Sequence, residues 1–285
     1  MSIPYYNERP PDKHRVSKKQ LAEMYYLLPE TDQKILLLLR DCRYAISEQI
    51  RDLLFPEGSS TKARSRAANR RLKKLRELSL IEAFGRTIGG PRHGSSHNVW
   101  YLSELGHRML NLDETNAVRK RLTAPSMLFI RHTLAITEAY VQIVRTAREH
   151  PELILSEVQW EPECWRNPAK NNSFSLRPDM FIVTHSEQYE DRWFIELDLS
   201  TEDIGTVISK CGRYLEYYRT EHEQKKHGVF PRVLWIVPDA VRKNQLKKAI
   251  SDNYAGQPEL FSIVLPDELP GMLLQQIPTT DKEGK

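Results

Sequence analysis

Cysteine is scarce, with three in 285 residues, at positions 42, 164 and 211. They are far apart and odd in number, with no CxxC spacing and no paired histidines nearby. That excludes a disulfide framework and a structural zinc site and leaves them as reduced packing residues. No stretch approaches 18 apolar residues, and the first thirty residues have no apolar core of the signal-peptide kind. The expectation is a soluble, cytoplasmic chain with no membrane partner. Gly89-Gly90 lacks a following Lys-Ser/Thr, so there is no Walker or Rossmann phosphate loop, and ATPase and dehydrogenase chemistry have no support. The most telling absence is local: residues 61–75 contain no acid at all.

What fills that stretch is cationic. Residues 61–80 read TKARSRAANRRLKKLRELSL, with Lys62, Arg64, Arg66, Arg70, Arg71, Lys73, Lys74 and Arg76 against one acid, Glu77. Ala68, Leu72, Leu75 and Leu78 recur at intervals of four, three and three, so one helical stripe can pack on a core while the cations project. An ordinary solvated face mixes signs in i,i+4 pairs, and like charges there repel unless an anion is close by. The pattern predicts a DNA-reading helix, with Lys62, Arg64, Arg66, Arg70, Arg71 and Lys74 as contacts.

The neighbouring segments fit that helix into a motif. Residues 32–40 and 47–54 are predicted helices capped by Thr31 and Ser47, which with 61–80 make a helix-turn-helix. Strand-like runs at 80–84 and 98–102 bracket a glycine-rich loop, 85–97, that carries Arg86 and Arg92. This predicts a wing whose tip adds two phosphate contacts. Ser103-Glu104-Leu105-Gly106 opens a closing helix. Residues 1–126 hold 23 Lys and Arg against 14 Asp and Glu, and residues 127–285 hold 19 against 24. A basic first half beside an acidic second half places nucleic-acid binding in the first. The expected division is a flexible arm at 1–20, a winged helix-turn-helix at 21–118, a second domain at 119–275 and a disordered tail at 276–285. The break falls in the polar stretch 111–126.

The second half has its own order of elements. A long helix at 127–149 precedes strands at 154–160, 176–184 and 193–199. A helix at 202–223, a strand at 233–237, a helix at 240–254 and a strand at 260–265 follow. Three adjacent strands and then βα alternation predict a mixed sheet with helices on both faces, α/β in this half and α+β overall. Arg177-Pro178-Asp179 opens one strand, and the next carries Glu196-Leu197-Asp198, where residues two apart share a face. Asp179 beside Glu196 is an oxygen-rich pair suited to Mg²⁺ or Mn²⁺. The alternative is that these acids pair with Arg177, Lys210 or Arg213. Tyr214, Tyr217 and Tyr218 are expected in the core.

Pro178-Asp179 followed by Glu196-x-Asp198 resembles a variant of the PD-(D/E)xK restriction-endonuclease-like fold, whose core order the predicted elements match. The leading LLPETD (27–32), RRLKKLRELSLIE (70–82) and ELDLSTE (196–202) with Lys210 and Tyr214 behind it are similar to the replication-relaxation family, over about 21–265. The resemblance implies a protein of plasmids, phages or integrative elements acting in replication, DNA relaxation or conjugative mobilisation. In the nuclease superfamily the residue two after the Glu is usually a water-activating Lys; here it is Asp198. Lys210 can stand in for that lysine, and Glu138 can serve as an extra metal ligand. The preferred role for Lys210 is a salt bridge to Asp198 or Glu202. The resulting expectation is a sequence-specific duplex-DNA-binding accessory protein, homodimeric, working beside a relaxase or replication protein, whose second domain is structural rather than catalytic. Two alternatives stand: a Mg²⁺-dependent endonuclease using Asp179, Glu196, Asp198 and Lys210, and a transcriptional regulator with a nuclease-like dimerisation domain.

Overall fold

Leucine spacing decides where the first half is helical. The computed structural model describes residues 16–55, 58, 60–84, 98–112, 125–167, 175–186, 189–256 and 258–275. The chain divides into two compact units, Met1–Val141 and Gln142–Lys285. Helix α1, Lys18–Leu27, lies in a stretch whose first residues were expected to be a flexible arm. It starts at a capping box: Ser17 Oγ accepts from the Gln20 N–H at 3.2 Å while the Gln20 side chain accepts from the Ser17 N–H at 2.9 Å. Helix α2, Glu30–Cys42, begins one residue before Thr31, so Thr31 is not its cap. Pro29 holds that position, and the Gln33 amide turns back to donate to the carbonyls of Tyr25 and Leu28. Strand β1, Ala45–Ile46, leads into α3, Ser47–Leu54. Ser47 is the first helical residue rather than the cap, and its hydroxyl accepts from the Trp100 indole at 2.9 Å.

Helix α4 runs Thr61–Glu77, with Ser60 Oγ accepting from the Ala63 N–H. Ala68, Leu72 and Leu75 are fully buried and Leu78 nearly so, as their spacing predicts. The helix stops short of residue 80. Ser79 takes a left-handed φ of 58° and the Leu80 N–H reaches the Leu75 carbonyl at 3.0 Å, a 6→1 closure that turns the chain into the sheet. Strand β2, Ile81–Phe84, pairs antiparallel with β3, Val99–Leu102, which also pairs with β1, giving the order β1-β3-β2. Ser103 caps α5, Glu104–Leu110, and donates from its hydroxyl to the Ser79 carbonyl. A Cβ on Gly106 would lie 2.2 Å from the Leu80 carbonyl oxygen, so this close packing of α5 on the turn requires glycine. These elements follow the order read from the sequence, helices, a pair of antiparallel strands and then a closing helix. The loop 85–97, read as the wing tip with Arg86 and Arg92, lies outside the described residues. Helix α6, Met127–Glu149, follows.

The second unit is built on a five-stranded sheet, β4-β5-β6-β7-β8: β4 Ile154–Trp160, β5 Met180–His185, β6 Glu190–Leu197, β7 Arg232–Ile236 and β8 Phe261–Val264. β4, β5 and β6 are antiparallel neighbours, and β6-β7 and β7-β8 are parallel. The two parallel steps need crossovers. α7, Ile204–Arg219, joins β6 to β7, with the short α8, His222–His227, after it; α9, Ala240–Asn253, joins β7 to β8. The helix expected over 202–223 is thus two, broken at Glu221, which is left-handed at φ 56°. Both crossovers step the same way along the sheet, and α7 and α9 bury Val207, Cys211, Tyr214, Leu246 and Ile250 against Phe181, Phe194, Val233, Trp235 and Phe261. The opposite face, with Met180, Ile182, Ile195 and Leu234, is buried too. A final helix, α10, spans Leu269–Leu274. All three cysteines are free and buried. Among the described residues no helix is long and apolar enough to cross a membrane.

Candidate functional site

The cations of α4 fall into two groups. With 3.6 residues per turn, Lys62, Arg66, Asn69, Arg70, Lys73 and Arg76 share the face opposite the leucine stripe, and all six are exposed. Lys73 has a loose partner in Glu77, at 4.0 Å. Arg64 and Arg71 flank the packed side and are committed to it. Arg64 donates to Asp52 on α3 at 3.3 Å and to the Phe55 carbonyl at 3.1 Å, tying α4 to α3. Arg71 grips Asp32 on α2 through two nitrogens, Nε at 2.5 Å from Oδ1, and Asp32 is fully buried. Lys74 is half-buried. Of the six contacts read from the helix sequence, Lys62, Arg66 and Arg70 therefore stand outward, while Arg64 and Arg71 orient the helix.

The acids of the second unit converge less than their spacing suggests. Asp179 sits just before β5, where its N–H reaches the Ile195 carbonyl at 3.2 Å and its Oδ2 accepts from the Leu197 N–H at 2.8 Å. Glu196, one residue from the end of β6 and fully buried, has both oxygens engaged. Lys210 on α7 is ion-paired to Oε2, and the Tyr214 hydroxyl, one helical turn on, donates to Oε1. Asp198, past the strand end, turns to another helix. Its Oδ2 accepts from Arg242 Nε at 2.5 Å and its Oδ1 from the Ser200 N–H at 2.7 Å, while Arg242 also donates to the Glu202 carbonyl at 2.8 Å. Arg242 and Asp198 are both buried. Lys210 thus pairs with Glu196 rather than with Asp198 or Glu202. Glu138 belongs to the first unit, where it accepts from Gln49 Nε2 at 3.0 Å.

Burial sets the electrostatics of this cluster. It pushes the Glu196 carboxyl up to about 8, with Asp179 adding to the rise and Lys210 and Tyr214 opposing it. Burial by itself would lower the Lys210 ammonium, but the Glu196 and Asp179 carboxylates outweigh it and hold the group above the ordinary lysine value. The Tyr214 phenol is likewise held far above its usual range, by burial first and the Glu196 carboxylate second. A divalent cation needs oxygen lone pairs turned towards one point. Here a cation and a hydroxyl already hold both Glu196 oxygens, and among the described residues no group of three or more His, Cys, Asp or Glu can hold a metal. The pair read as Mg²⁺ ligands, Asp179 and Glu196, does not fit one in this arrangement.

Sequence reading passed over Arg242 and the part played by the Tyr214 hydroxyl. Arg242 lies 44 residues from Asp198, on a helix whose lysines look like an ordinary solvated face. Tyr214 is in the core as its apolar neighbours suggest, but its hydroxyl belongs to the acid cluster. Residues 36–233 match the replication-relaxation family, a span that takes in α4, Glu196, Asp198 and Lys210 and stops short of Arg242. No curated protein and no solved structure matches the chain.

Proposed function

Because the chain belongs to the replication-relaxation family, with a role in replication or relaxation, we propose that it acts there as an accessory protein that binds a specific duplex-DNA site as a homodimer. The carrying observation is the exposed cationic stripe of α4, held in place by Arg64–Asp52 and Arg71–Asp32 so that Lys62, Arg66 and Arg70 face away from the core. In this reading the helix enters the major groove, with Arg66 and Arg70 reading guanine edges and Asn69 an adenine. The sequence supplies Arg86 and Arg92 for phosphate contacts beside it. One such helix reads a short site, and a dimer doubles the site into two half-sites. The second unit, with its carboxylates already paired, serves assembly, bringing a second copy or a relaxase or replication protein to the DNA.

Footprinting with the purified full chain on the DNA of its own genetic element tests this reading. The expected result is protection of paired half-sites at an origin of replication or transfer. Protection confined to promoters supports a transcriptional regulator instead. Nicking of supercoiled plasmid in Mg²⁺ or Mn²⁺, abolished by Asp179→Ala and Glu196→Ala, replaces the reading with an endonuclease.

A further inference from the structure

We infer that the Lys210 ammonium occupies the position a divalent cation would take between the acids at the end of β6, so that the cluster is neutralised from within and becomes a metal site only when that side chain is removed. The inference does not depend on what α4 binds. Glu196 is fully buried and Asp179 nearly so, and the bonds of Asp179 to the Ile195 carbonyl and the Leu197 N–H, the residues on either side of Glu196, bring the two acids together at the end of β6. A cation is therefore required, and removing water from two acids without one is costly. The cation present is covalently part of α7. Its Nζ sits on Glu196 Oε2 and 5.8 Å from the centre of the Trp235 ring. Tyr214 takes the remaining Glu196 oxygen, and the Leu197 N–H takes Asp179 Oδ2.

Asp198 would be the third ligand of a metal here, but Arg242 and the Ser200 N–H hold both of its oxygens. The closure thus has two parts, an ammonium inside and a guanidinium that diverts the third carboxylate. Truncating Lys210 opens the first part alone. It leaves the two acids of Asp179 and Glu196 beside a space the length of a lysine stem, and a hard divalent ion can fill that space with water as its other ligands.

The test uses the full chain and Mn²⁺ alone, without DNA. Thermal unfolding and tryptophan fluorescence are followed for the wild type, Lys210→Ala, Lys210→Met and Lys210→Ala with Glu196→Gln. The wild type should show no Mn²⁺-dependent rise in Tm and no saturable quenching at millimolar metal. Lys210→Ala should melt lower without metal and regain about 5–10 °C with it, as expected when a ligand binds only the folded state. Saturable loss of fluorescence, absent when Trp235→Phe is added, should accompany the recovery. Both responses should vanish when Glu196→Gln is added. Lys210→Met, which refills the space with an apolar stem, should fold and ignore Mn²⁺. Saturable stabilisation of the wild type by Mn²⁺ that Glu196→Gln removes would overturn the inference. So would a Lys210→Ala protein that stays unfolded, or folds without responding, in Mn²⁺.

Discussion

Replacing Arg242 with methionine is the sharpest probe of how the acids are neutralised. Methionine keeps most of the apolar stem and deletes the guanidinium. Two hydrogen bonds disappear with it, Nε to Asp198 Oδ2 at 2.5 Å and Nη2 to the Glu202 carbonyl at 2.8 Å. Asp198, whose side chain is 2% exposed, keeps the Ser200 N–H but loses its counter-charge. Hydrogen bonds to charged groups contribute about 1.5–3 kcal/mol each, and stranding one member of a buried ion pair costs about 3–5 kcal/mol. The two figures agree on a loss near 4 kcal/mol. For a unit of this size that corresponds to a fall in Tm of roughly 8–16 °C. Differential scanning calorimetry of the full chain reads it, and because the pair is buried, raising the salt should barely change the result. Asp198→Asn in the same chain removes the stranded charge and should restore more than half of the loss, a coupling that a double-mutant cycle isolates. A loss below about 1 kcal/mol, the range of an exposed pair, or strictly additive single changes would refute the claim that Arg242 and Asp198 form one buried unit.

The two groups of cations on α4 should separate by assay. Arg66→Ala and Arg70→Ala should each weaken duplex binding by about 1–3 kcal/mol with Tm unchanged, whereas Arg71→Ala should lower Tm, because it strands the buried Asp32; equal effects of all three on binding with no change in stability would contradict the division. Light scattering should report a dimer alone and on DNA; a monomer in both states removes the half-site argument.

Much of the architecture was legible because periodicity reports which face is buried. The stripe Ala68-Leu72-Leu75 and the strand triplet before the crossovers follow directly from spacing. Elements held by partners distant in sequence were not legible. β1 is two residues long and exists because Ala45 and Ile46 pair with Trp100 and Val99. The break between α7 and α8 carries no glycine or proline, only a left-handed Glu221. At the acid cluster, the strand period puts Glu196 and Asp198 on one face, but β6 ends at Leu197, and spacing could not say that α7 would claim one acid and α9 the other. α4 shows the same limit: the charge of its eight cations is visible in the sequence, while the loss of Arg64 and Arg71 to Asp52 and Asp32 depends on how α2, α3 and α4 pack.

The Arg242–Asp198 pair also constrains where substitution can take this chain. Under the resemblance to PD-(D/E)xK enzymes, position 198 corresponds to their water-activating lysine, and Asp to Lys at one site looks like a short path to that pattern. In this fold the new ammonium would face a buried guanidinium already bonded to the Glu202 carbonyl, two like charges with nothing between them. Neutralising Arg242 first is no easier, since it strands Asp198. Each single step passes through a destabilised protein, and only the paired change is tolerable. The two positions are therefore expected to vary together or not at all among related chains, so that a lysine at 198 is accompanied by an uncharged or acidic residue at 242.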